Sequence, residues 1–195
     1  MKTVFVDIDT QLDFMYPAGA LYVPGAEKLV PAISALNRYA AAHGIAVLST
    51  ADTHAENDPE FRDWPGHCIA GTIGQHKAEA TLVDRRAVMT AEAREVPMGA
   101  PQIVIEKHVI DLMQAGNLRA AIEALDAERW VVYGVVTEYC VRAAAMGLLR
   151  PDRQVEVVVD AIETLDLARS REVLEAFTAQ GGRLTMAAEA LRYAG

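Results

Sequence analysis

The chain has 195 residues, a net charge of −9, 52% hydrophobic and 23% charged residues, which fits one globular domain with a sizeable core. Its acidity argues against nucleic acid or an anionic membrane as partner, because both bind basic surfaces. The two cysteines, Cys68 and Cys140, match no CxxC spacing, so no disulfide framework is expected and the reducing cytoplasm is the expected compartment.

The amino-terminal MKTVFVDID has too short an apolar run for a signal peptide, and later runs fall below a membrane span. Thr3–Ile8 reads as the first strand, with Asp7 as a polar interruption. Ala26–His43 carries Leu29, Ile33, Leu36 and Tyr39 near a 3.6 period and ends at Gly44, the pattern of a helix. Ile45–Thr50 is the second strand, Gln102–Glu106 the third and Trp130–Val136 the fourth. Helices are predicted over Asn117–Ala127 and Glu138–Leu149. Val155–Val159 is the fifth strand, Leu167–Ala179 a helix that stops at Gly181-Gly182, and Arg183–Met186 a sixth strand. Val/Ile runs without polar alternation suit parallel strands covered on both faces. The predicted class is α/β, a three-layer αβα sandwich with a six-stranded parallel sheet of Rossmann-like type.

One connection is long. About fifty residues separate Thr50 from Gln102, where a crossover needs roughly a dozen. Residues 51–101 therefore read as a lid and metal loop inserted in a single 1–195 domain. A decorated crossover with one extra helix is the plainer alternative. The charged segment 84–97 within it has no assigned role.

Three residues of different chemistry end strands: Asp9, Lys107 and Cys140. Open α/β sheets bind ligands outside the carboxyl ends of their strands, so the three converge on one pocket. An acid, an ammonium and a thiol are the parts of a cysteine nucleophile site. Thr137 as a helix N-cap puts Cys140 in the first turn, where free N–H groups favour a thiolate and can hold an oxyanion. Asp7 and Asp13 compete with Asp9 for the role of base, and Asp13 can instead brace the following turn. Lys107 can keep Asp9 ionised and lower the thiol pKa.

A second set is Asp52, His54 and His67, with Glu60 as a candidate fourth ligand. The D-x-H spacing puts two side chains on one face of an extended chain. One carboxylate and two imidazoles suit one divalent ion, Zn, Fe or Mn. A hydrogen-bonded Asp–His pair in a polar loop is the simpler explanation. His43, His76 and His108 read as structural or solvated.

Taken in order, DTQLDF, GALYVPGAE, DTH, WPGHCIAGT, Lys107 and GVVTEYCV resemble the isochorismatase-like cysteine hydrolases, and among them the nicotinamidase/pyrazinamidase branch. The resemblance covers most of the chain. It implies a six-stranded parallel sheet and homo-oligomers. It implies Asp9, Lys107 and Cys140 as the catalytic residues and the backbone N–H groups of Val136 and Cys140 as the oxyanion hole. A cis peptide is implied at Val135–Val136. Asp52, His54 and His67 match the branch's metal ligands, whose ion binds a ring nitrogen of the substrate. Phe14 and Trp64 match residues that wall the ring, and Tyr139 beside the nucleophile also shapes that slot. The loop AENDPEF after His54 departs from the branch, which often places another His there; Glu60 falls near that position. HVIDLMQAGN after Lys107 replaces a small-residue run that often ends in Phe.

The expected function is hydrolysis of a small carboxamide, nicotinamide first, by a metal-assisted cysteine amidohydrolase working through a Cys140 thioester. Another small amide, a carbamoyl compound or an isochorismate-like substrate is the alternative within the family. A non-catalytic small-molecule-binding or scaffold protein is the alternative of a different class. A Rossmann dehydrogenase is disfavoured, since no GxGxxG follows the first strand.

Overall fold

Seven parallel strands form the middle layer of the computed structural model, which describes residues 1–192. They are β1 (Thr3–Ile8), β2 (Ala46–Asp52), β3 (Arg86–Met89), β4 (Gln102–Lys107), β5 (Arg129–Gly134), β6 (Gln154–Ile162) and β7 (Arg183–Thr185). Their order across the sheet is β3-β4-β2-β1-β5-β6-β7. Six coincide with the apolar runs of the sequence. The seventh, β3, corrects the expected count of six: it lies inside the charged segment 84–97. Among the described residues it is an edge strand paired with β4, leaving Arg86 and Val88 exposed. A short edge strand has little surface to bury, so its sequence carries no apolar run.

Among the described residues the α-helices are α1 (Leu12–Met15), α2 (Val30–Ala42), α3 (Gly116–Leu125), α4 (Arg142–Leu148), α5 (Leu167–Ala179) and α6 (Ala187–Arg192). Side chains on β1 alternate between two cores, as the period of two requires. Val4, Val6 and Ile8 meet Leu118 and Ile122 of α3, Ala144 and Leu148 of α4 and Phe177 of α5. Phe5 meets Ile33, Leu36 and Ala40 of α2 and Ala190 of α6. Helices thus cover both faces. Among the described residues, no helix is long and apolar enough to cross a membrane.

Asp7 shares the face of Phe5 and is fully buried. It accepts hydrogen bonds from Thr10 Oγ1 (2.9 Å), Asn37 Nδ2 (3.1 Å) and Ser49 Oγ (3.1 Å), and Lys77 Nζ lies 3.4 Å away. Its interruption of the strand pattern is a satisfied buried network. It is directed towards α2 and is bound up there, which removes it as a rival base.

A second buried pair lies at the other end of the sheet. Arg129, 1% exposed, donates Nη2 and Nε to the carboxylate of Glu156 at 2.7 and 3.2 Å. Burial raises the Glu156 pKa, but the Arg129 hydrogen bonds and charge outweigh it and hold the carboxyl below its ordinary value. A depressed carboxyl stabilises the fold above its unfolded pKa, and that stability is lost as pH falls through the folded one. Glu156→Ala leaves Arg129 buried without its partner. We expect a loss of about 3–5 kcal/mol in urea melts at neutral pH and a smaller loss near pH 3. An equal loss at both pH values would refute the charge argument.

Candidate active site

Four strands adjacent in the sheet, β4-β2-β1-β5, deliver the chemistry at their carboxyl ends. Asp52 and Lys107 end β2 and β4 in paired register. Asp9 follows β1, and Cys140 follows β5 after the pair Ile8–Gly134. The chain leaves β1 for β2 on one side and returns to β5 on the other, which opens a crevice at the central strands. Gly134 permits the close approach: at φ 118°, an added Cβ would lie 2.1 Å from the Ile8 carbonyl oxygen.

Asp9 adopts φ 47°, a left-handed conformation that Asp tolerates better than most residues. Thr50 holds it there. Its hydroxyl donates to Asp9 Oδ1 at 2.5 Å and accepts from the Asp9 N–H at 3.2 Å. Lys107 Nζ lies 3.0 Å from Asp9 Oδ2, contacts Asp52 Oδ1 and lies 3.7 Å from Cys140 Sγ. An oxygen of Asp9, an oxygen of Asp52 and the sulfur lie within 4.8 Å of one another. The three dispersed residues predicted from strand ends therefore meet around one sulfur.

The charges sort by environment. Burial raises the Asp9 carboxyl, but the Lys107 charge and hydrogen bonds from Thr50 and Cys140 more than compensate, so its pKa is lowered. Burial pushes the Cys140 thiol well up, and the neighbouring carboxylates add to this against Lys107. Burial also raises Asp52, to about 6, despite Lys107. The proton at rest is on sulfur, with an ionised acceptor beside it. That is the state a general base needs before attack.

Cys140 sits in a wide π turn, Thr137–Val141, that precedes α4. The expectation that Thr137 caps this turn is corrected. Its hydroxyl and N–H both donate to the Glu163 carbonyl, at 2.7 and 2.9 Å, so the side chain secures a neighbouring loop. Glu138 is buried and accepts from Thr164 Oγ1, Leu165 N and Asp166 N. Those bonds occupy its charge and fix the loop carrying Leu165. The Val135–Val136 peptide is cis.

Asp52, His54 and His67 are buried, and one ligand atom of each lies within 4.8 Å of the others. His67 Nδ1 lies 2.8 Å from the Pro65 carbonyl, which can only accept, so this nitrogen carries the hydrogen. His54 Nδ1 lies 3.0 Å from Asp58 Oδ2. Burial raises Asp58, but the Glu60 N–H and His54 outweigh it and keep it ionised below its usual range. With each Nδ1 so engaged, Nε2 is the nitrogen of each imidazole left to ligate, the arrangement in which outer hydrogen bonds orient metal-binding histidines. His54 Nε2 is buried and has no hydrogen-bond partner among the described residues. An orphaned buried acceptor beside a carboxylate and a second imidazole fits a cation. Glu60 is 3.9 Å from His67 Nε2.

A cleft of about 390 Å³, its mouth included, runs over the sulfur. Asp9, Asp52, Glu60, His67 and Cys140 face it with Val136. Phe14, Trp64 and Tyr139, named from the sequence, line it, and Trp64 meets Tyr139 edge-on at 5.2 Å. Its size suits a small molecule. Leu21, Ile110 and Leu165 also line it and were missed. They come from three separate loops, and Ile110 lies in the segment where the chain departs from the branch. Asp13, a rival base in the sequence, accepts from Cys68 N at 2.7 Å and Ala20 N at 2.9 Å. It braces the loops that carry His67 and Leu21.

The model of the isochorismatase domain matches residues 3–189. Nicotinamidase of Saccharomyces cerevisiae is 27% identical over a 191-residue alignment that covers 82% of this chain and 87% of the relative. Nicotinamidase of Escherichia coli is 22% identical over 194 residues, covering 82% of each. The crystal structure of pyrazinamidase of Pyrococcus horikoshii, in complex with zinc, superposes with a TM-score of 0.77 at 26% identity, over 95% of this chain and 99% of that one. With its parallel sheet and strand-end residues, the chain belongs to the isochorismatase family, and it is similar to nicotinamidases and pyrazinamidases.

Proposed function

We propose that the chain hydrolyses a small carboxamide, nicotinamide first, to the carboxylate and ammonia through a thioester on Cys140. The observation that carries this reading is the convergence of buried Asp9, Lys107 and Cys140, with Lys107 Nζ 3.0 Å from Asp9 Oδ2 and 3.7 Å from Cys140 Sγ; the lowered Asp9 and raised Cys140 pKa directions agree with it. Asp9 takes the thiol proton as the sulfur attacks the amide carbon. The backbone N–H groups of Val136 and Cys140 hold the oxyanion, and each such donor is worth about a hundred- to a thousand-fold in rate. Asp9 then passes its proton to the departing amine, which leaves as ammonia. It next takes a proton from the water that cleaves the thioester, which restores the thiol.

Asp52, His54 and His67 are proposed to hold one divalent ion, zinc first, with Fe and Mn as rivals and Glu60 as a further ligand. When bound, the ion supplies a Lewis-acidic anchor for a lone pair on the substrate. Phe14, Trp64 and Tyr139 sandwich a flat substrate, while Ile110, Leu165 and Leu21 limit its length. The aliphatic Ile110 keeps a second substrate class in view, an aliphatic amide or carbamoyl compound.

The test is ammonia release from a panel of aromatic and aliphatic amides, with metal analysis of the same sample. We expect release from at least one small amide and about one divalent ion per chain. Binding of amides without release from any of them would replace the reading by that of a non-catalytic binding protein.

A further inference from the structure

The structure assigns Gln11 as a positioning residue that builds the metal site, a role deepening the reading above. Gln11 is fully buried. Its side-chain amide grips both sides of the Asp52 backbone: Oε1 accepts from Asp52 N–H at 2.7 Å, and Nε2 donates to the Asp52 carbonyl at 2.8 Å. These are the two bonds a neighbouring strand would make to the residue that ends β2. Nε2 has a second hydrogen, and it goes to the Gln75 carbonyl at 2.7 Å. Every donor of the amide is thus used.

The consequence is positional. Asp52 comes from a strand end, whereas His67 lies on the loop that runs on to Gln75. Gln11 is bonded to both segments, and its own backbone bridges to Lys77 beyond them. Asp13, two residues on, bonds Cys68 N next to His67. The turn after β1 therefore ties together the two chain segments that supply the three ligand atoms. Gln11 does not line the cleft, and its side-chain bonds go to Asp52 and Gln75, so its contribution runs through the placement of Asp52 and His67. A mispositioned ligand weakens metal binding even when the fold survives, and loss of an outer-sphere partner typically costs about 10–100-fold in affinity.

Two substitutions separate this from a general packing role. Gln11→Glu keeps the acceptor for Asp52 N–H but turns both donated bonds into oxygen–oxygen contacts. Gln11→Met keeps volume and removes all three bonds. Zinc and manganese affinities of the folded, metal-stripped proteins are measured by competition with a chromophoric chelator, next to melting temperatures. As a control, Gln102→Met removes a buried amide that donates to Ser49 Oγ and the Thr81 carbonyl and accepts from the Val83 N–H, at the amino end of β4, the opposite end of that strand from Lys107. We expect affinity to fall about 10–100-fold in both Gln11 variants and to hold within about twofold in the control, at comparable losses of melting temperature. Unchanged affinity in a folded Gln11 variant, or an equal fall in the control, would overturn the assignment while leaving the metal site itself intact. A wild-type chain that binds neither ion would overturn both. Should neither variant fold, the wild type decides: the Gln11 side-chain amide signals in a ¹⁵N spectrum must shift on zinc saturation. Static signals would end the proposal.

Discussion

Cys140→Ala is expected to lower amide turnover by at least about ten-thousand-fold, the scale seen when a member of a catalytic triad is removed. The side chain is buried at the floor of the cleft and packs at the margin of the core, and replacing sulfur by hydrogen there costs about 1 kcal/mol. For a chain of this size the melting point should drop by only about 2–4 °C. The contrast between the two effects is the content of the prediction: a structural cysteine would show the reverse. The pKa directions sharpen it. Burial holds the thiol up and Lys107 holds Asp9 down, so in the proposed mechanism sulfur attacks as its proton moves to Asp9. Cys140→Ser offers a less acidic group to the same base and should lie near the alanine variant. Ammonia release from the best amide, followed over hours, measures both. A variant that released ammonia at the wild-type rate would remove sulfur from the mechanism.

The parts of this site that were legible in the sequence share one property. Asp9, Lys107 and Cys140 each follow an apolar run, so the parallel-sheet reading alone brings them to one end of the sheet. Asp52, His54 and His67 announce themselves by residue type. The parts that were not legible are defined by long-range partners. Thr50 reads as an ordinary strand residue until its hydroxyl is found on Asp9. Gln11 reads as part of a turn, and its partners lie 41 and 64 positions away. Asp58 is one of several acids in its loop, distinguished only by its bond to His54. Leu21, Ile110 and Leu165 line the cleft from loops whose course no periodicity predicts. Asp7 broke the strand pattern visibly, but its meaning needed Asn37, Ser49 and Lys77. Edge strand β3 escaped because exposure removes the hydrophobic signal that marks a strand.

Lys107→Met should cost both activity and stability, and the sign of its pH dependence identifies why. Methionine keeps most of the buried stem and deletes the charge that touches Asp9 and Asp52. Two carboxylates then face each other in a buried site without a cation, and breaking such a cluster costs about 3–5 kcal/mol. The pair relieves this by retaining a proton, as like charges at close range do. A protonated Asp9 cannot accept from sulfur, so turnover should fall by about a hundred- to ten-thousand-fold, the range for a lost general base. In the metal-free wild type the two carboxyls act in opposite directions. Asp9, with its lowered pKa, stabilises the fold above about pH 4 and loses that stability as pH falls through its folded pKa. Asp52, raised to about 6 by burial, loses stability as pH rises from its unfolded pKa towards that value. Without Lys107 both carboxyls are raised, the folded state holds more protons than the unfolded one, and stability falls with rising pH. Urea melts of the metal-free variant should therefore give a higher midpoint at pH 5 than at pH 8, with a steeper decline than the wild type. A variant equally stable at both pH values, or one that kept wild-type turnover, would mean that the ammonium neither neutralises the two acids nor keeps Asp9 ready to take the thiol proton.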